Sequence, residues 1–211
     1  MSVDWGDTGT MLQGWGTILG SAAVFYAAKK GADTFGAWKK QKLAERKLEQ
    51  AERILIASYK AREGLSYIRG IMMWGHELEA AENKLKEDLK QWEQQTAHRQ
   101  KRLVTAQAYY NRLNRTKADQ DELFHCLPMS RALFGEELED AVTKLNRQFW
   151  LVQVDVDSYI DDNERDSEFT KKLRRGMYDV KPREGEQNDI SNSIAEAVQK
   201  IEDICLPILR E

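Results

Sequence analysis

Apolar residues in the second half of the chain recur with the period of a packed α-helix. Seven positions between Leu138 and Tyr159 alternate spacings of four and three residues, and six positions between Ile190 and Ile208 do the same. Such spacings keep an apolar seam on one side of a helix, as knobs-into-holes packing requires. Each seam covers only about three heptads, which favours an antiparallel bundle over a long free rod. The seam positions are Leu138, Val142, Leu145, Phe149, Val152, Val156 and Tyr159, then Ile190, Ile194, Ala197, Ile201, Ile204 and Ile208.

Two longer helices are predicted before the seams. The first runs from Phe35 to about Ile68, and it is predicted to continue directly from the preceding segment, with Gly31 and Gly36 as points where its axis can bend. The second runs from about Glu77 to Leu113, bent near Thr96. The apolar stripes of the first helix are Ile54, Ala57, Ala61, Leu65 and Ile68, and Leu48, Ala51, Leu55 and Tyr59. Those of the second are Leu78, Ala81, Leu85, Leu89 and Trp92, and Leu103, Ala106, Tyr110 and Leu113.

Shorter helices complete the predicted fold. One covers roughly Lys117 to His125 and is stopped by Leu127-Pro128, and another covers Ser167 to Arg175. A loop of about ten residues follows, and Asn188 or Asp189 is predicted to cap the last helix.

Composition agrees with an all-α fold and limits the function. The 211 residues include only three prolines, and the net charge of −3 argues against a general nucleic-acid binder. We predict three parts: an N-terminal membrane segment (1–30), a long connecting helix (31–69) and an antiparallel cytoplasmic helical bundle with coiled-coil-like seams (70–211). The two cysteines, Cys126 and Cys205, lie far apart without a CxxC pattern, so we expect them to fill the core in a reduced state.

The membrane prediction rests on a charge-free run. From Thr8 to Ala28 no residue is charged, although 32% of the whole chain is. About 20 mostly apolar residues in a helix span a roughly 30 Å hydrocarbon core. Glycines and polar residues dilute the run, so its insertion is marginal. We favour a transmembrane helix; a helix in the headgroup region or one packed in a core is the alternative. Asp4 and Asp7 at the start disfavour a cleaved signal peptide, which needs basic residues there.

Charges on either side of the run predict its orientation. Asp4 and Asp7 precede it, whereas Lys29, Lys30 and further lysines follow it. The positive-inside rule then places the N-terminus outside and the remainder in the cytoplasm, as in a single-pass protein of a bacterial inner membrane. Basic residues after the span also favour an anionic leaflet. The candidate interfacial anchors are Trp5, Trp38, Lys29 and Lys30.

Small residues share one face of the predicted membrane helix. Gly16 and Gly20 form a GxxxG pair, and Ala23 and Ala27 continue the same face. Such a face lets two helices approach closely, which supports self-association in lipid. Glycine and alanine are also common in membrane helices without pairing, so contact with membrane lipid alone is the alternative.

The densest acidic run lies at the end of the first seam. On a helix Asp157, Asp161 and Glu164 share a face, which makes them weak candidates for a divalent-metal site. An EF-hand loop needs ligands at alternate positions and then a glycine, but Tyr159 occupies one such position and no glycine follows. A solvated helix end therefore explains the run better, and we expect no metal there.

Two glycines bracket an apolar cluster between the two long predicted helices. Met72, Met73 and Trp74 lie between Gly70 and Gly75. They are interpreted either as an exposed contact for a partner or the membrane surface, or as a plug at the base of the bundle.

No pattern typical of catalysis occurs in the sequence. The three histidines lie outside HExxH and similar motifs, and phosphate loops, nucleophile elbows and zinc spacings are missing. His125 precedes Cys126, but neighbours on a helix point about 100° apart and do not form a dyad. We therefore expect neither an enzyme nor a cofactor, and no small-molecule substrate is identified.

Three stretches carry a resemblance: "DTFGAWKKQKLAERKLEQAERILIASYKAREGLSYIR", "ALFGEELEDAV" and "AEAVQKIEDICLPILRE". They resemble a loose group of uncharacterised bacterial proteins that have one N-terminal membrane segment and a helical cytoplasmic part and are often carried on mobile elements. The resemblance implies the anchored, all-helical layout. It implies no activity and no binding residues.

These observations favour a non-enzymatic, membrane-anchored helical protein that binds another protein through its cytoplasmic bundle. A first alternative is a membrane-perturbing effector, for example in defence against phage, that forms homo-oligomers through Gly16 and Gly20. A second alternative is a soluble metal-dependent protein built around the acidic run.

Overall fold

The protein is all-helical and its helices pack as a bundle. A computed structural model describes residues 5–162, 164–179 and 188–210, with side-chain surroundings from Ser21 onward. No strand occurs in these residues, as the periodicity predicts. The helices are α1 (Trp5–Ile68), α2 (Gly75–Asp88), α3 (Ala97–Arg115), α4 (Lys117–His125), α5 (Leu127–Phe134), α6 (Glu136–Asp161), α7 (Ser167–Met177) and α8 (Asp189–Arg210), with a short 3₁₀ helix (Trp92–Gln94) before α3.

Helix α1 is continuous over 64 residues. It passes through Gly31 and Gly36, so the predicted continuation of the first segment into the long helix is confirmed. The helix ends at Ile68, two residues before Gly70. In the described part of the chain, no helix has a stretch that is both long and apolar enough to cross a membrane.

The predicted stripes and seams form one core. All five positions of the first α1 stripe, from Ile54 to Ile68, are fully buried. The seam of α6 is buried from Leu138 to Val156, and α8 contributes Ile194, Ala197 and Ile201. Burying each large aliphatic side chain contributes about 1.5–3 kcal/mol. The other seam positions, which are Tyr159, Ile190, Ile204 and Ile208, are half-buried against this core. Leu48 is the exception among the α1 positions, because its side chain is 45% exposed.

The prediction of one bent helix from Glu77 to Leu113 is wrong. Helix α2 ends at Asp88 and α3 begins at Ala97. The Thr96 hydroxyl accepts a hydrogen bond from the backbone N–H of Arg99 at 3.3 Å and so caps a new helix. Between the helices the indole of Trp92 is buried. The chain therefore does not bend near Thr96. One helix ends before this residue, and a second helix begins after it.

The chain between α4 and α6 differs from the prediction, because an additional short helix, α5, begins near Pro128 and ends before Gly135. Helix α4 ends at His125, as predicted, but Pro128 lies in the first turn of α5 and starts a helix instead of only stopping one. Proline is tolerated there because the first turn needs no N–H donor. Gly135 then joins α5 to α6 with a φ of 95°, a conformation that side chains with a Cβ disfavour.

The caps of the last two helices come from polar side chains. Asp166 accepts hydrogen bonds from the first N–H groups of α7, which runs two residues beyond its predicted end. Asn188 caps α8 by accepting the N–H of Ser191 at 3.2 Å, so the predicted cap is confirmed. Most of the predicted loop between them, residues 180–187, lies outside the described residues.

The chain divides into two compact units within α1, after Arg46. In the first unit, every side chain from Ser21 to Arg46 is exposed. In the second unit, the buried core begins at Ala51. The hydrophobic core described above therefore belongs to the second unit alone.

Candidate interaction site

The turn between α1 and α2 exposes a cluster of large apolar side chains. Ile71 is 61% exposed, Met72 67% and Trp74 60%. Met73, which lies between them, is half-buried and packs against the core. Each of the two interpretations therefore applies to part of the segment. Met73 packs into the bundle, whereas Ile71, Met72 and Trp74 form an exposed apolar surface. We call Ile71, Met72 and Trp74 the apolar turn.

A buried guanidinium holds the backbone of this turn. Arg112 of α3 is almost fully buried. Its Nη1 donates to the carbonyl of Gly70 at 2.8 Å, and its Nη2 donates to that of Met72 at 2.7 Å. Nη1 also lies 3.3 Å from the last carbonyls of α1, at Tyr67 and Ile68. One side chain therefore satisfies the unpaired carbonyls at a helix end together with those of the following turn.

The carboxylate of Glu77 completes this clamp. Its two oxygens accept from Nε and Nη2 of Arg112 at 3.1 and 2.8 Å, a bidentate pair. Oε2 also accepts the backbone N–H of Trp74 at 3.0 Å. The hydrogen bond from Arg112, with help from Trp74, lowers the pKa of Glu77 to about 2. The pair stays ionised and buried, and its other hydrogen bonds are made with backbone groups of the turn.

Tyr67 closes one side of the clamp. Its ring lies over the Arg112 guanidinium, 5.3 Å from the centroid. Its hydroxyl donates to Glu77 at 3.3 Å and accepts from Arg115 at 3.0 Å. The backbone beneath the apolar turn is thus held by several charge-assisted bonds, while the apolar side chains themselves stay in solvent. Such an arrangement reduces the entropy that a binding surface loses when a partner docks.

Two other buried arginines bind helix ends in the same way. Arg102 of α3 donates through Nη1 to the carbonyls of Tyr159 and Asp162 at the end of α6. Its Nη2 lies 3.0 Å from a carboxylate oxygen of Glu164. A cation at the C-terminus of a helix also interacts favourably with the helix dipole. Arg102 therefore has a structural role at the end of α6.

Arg69 joins three helices at a single point. Its Nε donates to the carbonyl of Gly176 at 2.8 Å, and Nη2 donates to that of Tyr178 at 3.0 Å, both at the end of α7. Nη2 also reaches the capping oxygen of Asn188 at 3.0 Å, and Nη1 reaches the hydroxyl of Ser191 at 2.9 Å. Because Arg69 itself follows α1, it ties the end of that helix to the end of α7 and the start of α8.

A cleft of about 640 Å³ lies between α6, α7 and α8. Its lining includes Leu151, Asp155, Phe169 and Lys172. Burial raises the pKa of Asp155 to about 6, and the cation of Lys172 opposes that rise. The Asp155 carboxylate packs so closely on Gly176 that a Cβ there would overlap it. A residue with a Cβ at position 176 would therefore require the Asp155 side chain to move.

The candidate metal ligands have separate partners. Asp157 accepts a hydrogen bond from the hydroxyl of Tyr110. Asp161 lies 3.6 Å from Arg99, and Glu164 pairs with Arg102 and with Arg174. Among the described residues, no three His, Cys, Asp or Glu side chains are grouped as a metal site would require. These carboxylates therefore pair with cations and a phenol at the end of α6.

The predicted membrane residues lie on α1. Ala23, Ala27, Lys29 and Lys30 are all exposed. Trp38 is 52% exposed and stacks on Phe35, with ring centroids 5.7 Å apart. Trp5, Gly16 and Gly20 belong to the helical backbone, and their side-chain surroundings fall outside the described part.

The thiols lie in the core. Cys126 and Cys205 are both buried, and burial raises the pKa of each thiol, that of Cys205 to about 11. Nucleophilic cysteines have lowered pKa values, whereas the pKa values of these two thiols are raised by burial. His125, the neighbour of Cys126, is exposed.

The residues of the clamp were missed at the level of sequence. Glu77 was predicted only as the start of the second long helix and Arg112 was not singled out, although these two residues shape the apolar turn. The available signal was the pair of glycines, Gly70 and Gly75, followed by a glutamate in the first turn of a helix, where its side chain can reach back to the cap.

Comparison with protein-family models, with curated proteins and with solved structures finds no match to this chain.

Proposed function

We propose that this chain is a non-enzymatic helical interaction protein of bacteria, anchored at the inner membrane, that binds another protein through the apolar turn. The observation that carries the proposal is the exposure of Ile71, Met72 and Trp74 on a backbone clamped by Arg112 and Glu77.

Exposing three neighbouring large apolar side chains is unfavourable unless something covers them. At about 25 cal/mol per Å² of apolar surface removed from water, a partner gains several kcal/mol by covering the apolar turn. Tryptophan is also among the residues enriched in binding hot spots. A flexible loop would lose this gain to ordering entropy, but the clamp has already restricted the backbone of this turn.

The buried ion pair supports the same interpretation. Removing two charges from water is costly, and an apolar pair of similar volume often stabilises a core equally well. Arg112 and Glu77 direct their hydrogen bonds to Gly70, Met72 and Trp74. The pair therefore fixes the shape of the turn in addition to filling space.

The anchoring part of the proposal rests on the sequence of α1. Its charge-free run from Thr8 to Ala28, preceded by acidic and followed by basic residues, favours a single span with the bundle in the cytoplasm. In this proposal α1 continues from the membrane segment into an antiparallel bundle whose seams on α6 and α8 interlock.

Site-specific photo-crosslinking in bacterial cells tests the proposed partner. We compare p-benzoylphenylalanine at position 74 with the same residue at position 150, since Trp74 and Trp150 are 60% and 54% exposed. A discrete adduct with a second protein is expected at position 74 and not at position 150. Replacing Ile71 and Met72 with serine should remove that adduct. The unfolding temperature should stay unchanged, because both side chains lie in solvent.

Two results would overturn the proposed function. One is an identical set of adducts at positions 74 and 150, which indicates nonspecific encounters. The other is a discrete adduct that survives the change of Ile71 and Met72 to serine, because the apolar turn then does not carry the binding.

A further inference from the structure

The cleft between α6, α7 and α8 has the size and the lining of a site for a small organic molecule. Its volume is about 640 Å³, and ligand pockets of proteins occupy roughly 300–1,000 Å³. Leu151, Phe169 and Ile190 give it one apolar side chain from each of the three helices. Ligand pockets combine such apolar walls with a few polar groups that orient the ligand. The polar groups of this cleft therefore indicate which ligand it fits.

Carboxylates outnumber cations in the cleft. Among the described residues that line it, the acidic ones are Asp155, Asp166, Glu168 and Asp189, and the basic ones are Lys172 and Arg175. Two of the carboxylates have local partners, because Asp166 accepts the first N–H groups of α7 and Glu168 pairs with Lys171 at 2.9 Å. The other two are Asp189, which is exposed at the start of α8, and Asp155, which is half-buried. This excess of negative charge favours a cationic ligand.

The Asp155 carboxylate has no hydrogen-bonding partner in the described part of the chain, and it forms no ion pair there. Burial raises its pKa to about 6, against the opposing effect of Lys172 and Arg69, so the group is mostly ionised at pH 7. The N–H groups of Arg69 donate to backbone carbonyls, to Asn188 and to Ser191 instead. A half-buried anion without a donor is unfavourable, because it has lost hydration and gained no hydrogen bond.

We propose that this cleft binds a small organic ammonium ion, whose N–H groups donate to Asp155 and whose apolar body lies against Leu151, Phe169 and Ile190. An ammonium group supplies both the donors and the positive charge that the Asp155 carboxylate lacks. An anionic ligand would instead bring a second negative charge beside Asp155, and like charges repel. The cleft shares no residue with the apolar turn, so the inference does not depend on the proposed function.

Isothermal titration calorimetry of the full-length protein with 2-phenylethylammonium tests this inference. The probe joins an ammonium group to one aromatic ring. Phenylacetate, which carries a carboxylate on the same ring, is the matched control ligand. The Kd of the ammonium probe should be at least about tenfold lower than that of phenylacetate, because only the ammonium group can donate to Asp155.

Two variants of α6 separate Asp155 from the total charge. Asp155→Asn removes the anion and keeps the shape of the side chain, and it should weaken binding of the ammonium probe at least about tenfold. Asp140→Asn makes the same charge change at an exposed position of the same helix. Because position 140 lies about 22 Å away along the helix axis, this change should alter the Kd less than about twofold. Cooperative unfolding by circular dichroism checks that both variants are folded.

Two variants of α7 test the apolar wall and the neighbouring cation. Phe169→Ser removes a ring that is 44% exposed, and it should weaken binding about fivefold because the apolar body of the probe loses a contact. Lys172→Gln removes a cation whose charge acts on Asp155. It should strengthen binding by about twofold to threefold, because the lysine no longer competes with the probe for the carboxylate.

Each contrary result overturns the inference for a different reason. Equal affinities for the ammonium probe and phenylacetate would mean that the ring alone is bound. Equal losses in Asp155→Asn and Asp140→Asn would mean that binding follows the total charge. Weaker binding in Lys172→Gln would indicate an anionic ligand group. Absence of binding at millimolar probe would also overturn it, and binding of a lysine-rich peptide that is lost in Asp155→Asn would then assign the cleft to a protein partner.

Discussion

Arg69, Arg102 and Arg112 each place a guanidinium against backbone carbonyls at the C-terminal end of a helix. The last carbonyls of a helix have no partner within it, and leaving them unpaired in a buried position costs about 1–3 kcal/mol each. A guanidinium offers five donors in a planar fork, so a single side chain can satisfy several of these groups. Lysine has three donors at one point and cannot replace this geometry.

The clamp predicts a specific pH dependence of stability. The pKa of Glu77 is lowered from 4.5 to about 2 by its bond to Arg112. A carboxylate with a lowered pKa stabilises the fold fully above about pH 4.5 and loses that effect as the pH falls towards 2, a difference of about 3 kcal/mol. Glu77→Gln should therefore reduce the free energy of unfolding by about 3 kcal/mol at pH 7. The loss should shrink as urea unfolding is measured at lower pH.

Glu79→Gln is the matched control for this prediction. Glu79 lies on the same helix but is exposed, so its replacement should change the free energy of unfolding by less than about 0.5 kcal/mol. If both variants show the same dependence on pH, the ionised Glu77 does not stabilise the turn.

At the scale of the elements, α3 shows how a buried charge misleads pattern analysis. The sequence stripe was Leu103, Ala106, Tyr110 and Leu113, but all except Ala106 are only half-buried. The buried residues of α3 are Ala108 and four residues at helical spacing, which are Arg102, Ala106, Tyr109 and Arg112. Both sets have helical spacing, and they differ by about one position. The arginines occupy core positions because their charges are met by carbonyls from other helices, and a sequence pattern contains no information on those carbonyls.

Other elements followed from local chemistry alone. The burial of α6 agrees with its seam, since the seam positions from Leu138 to Val156 all lie in the apolar core. Helix α4 ends where it was predicted to end. The errors at Thr96 and Pro128 concern residues that can either end a helix or begin one. Which role they take depends on whether the next segment finds a place to pack, as Trp92 does.

The approach of α7 to α6 gives a prediction at this scale. Gly176→Ala normally stabilises a helix by up to about 1 kcal/mol. Here the added Cβ overlaps the Asp155 carboxylate, so the variant should instead lose about 1–3 kcal/mol in chemical denaturation. In an Asp155→Ala background the same change should be neutral or stabilising. Equal effects of Gly176→Ala in both backgrounds would contradict this packing.

At the scale of the whole molecule, the two units differ in what stabilises them. Side chains from Ser21 to Arg46 are all exposed, whereas burial begins at Ala51 and continues through α8. An isolated helix without a buried face has little stability of its own in water. The second unit contains a complete core, so its stability should be independent of the first.

Removing residues 1–46 tests this independence. The remaining chain should stay helical and unfold cooperatively, with a midpoint within about 3 °C of the full-length protein by circular dichroism, because no buried described side chain is lost. A variant that starts instead at residue 62 serves as the control. It lacks Ile54 and Ala57, which are fully buried, and it should not unfold cooperatively. Loss of cooperative unfolding in the first variant would contradict the prediction.

The all-helical fold, the end of α1 and the positions of α4, α6 and α8 follow from the sequence, as do the buried faces of α6, of α8 and of α1 from Ala51 to Ile68. These features depend on helix propensity, capping and apolar period, which act between residues a few positions apart. Packing of the helices against one another sets the break between α2 and α3, the register of α3 and the clamp of Arg112 and Glu77 on the apolar turn. A buried charge is tolerated only where partners from distant parts of the chain pair with it. That is also why the candidate interaction site became visible in the fold and not in the sequence.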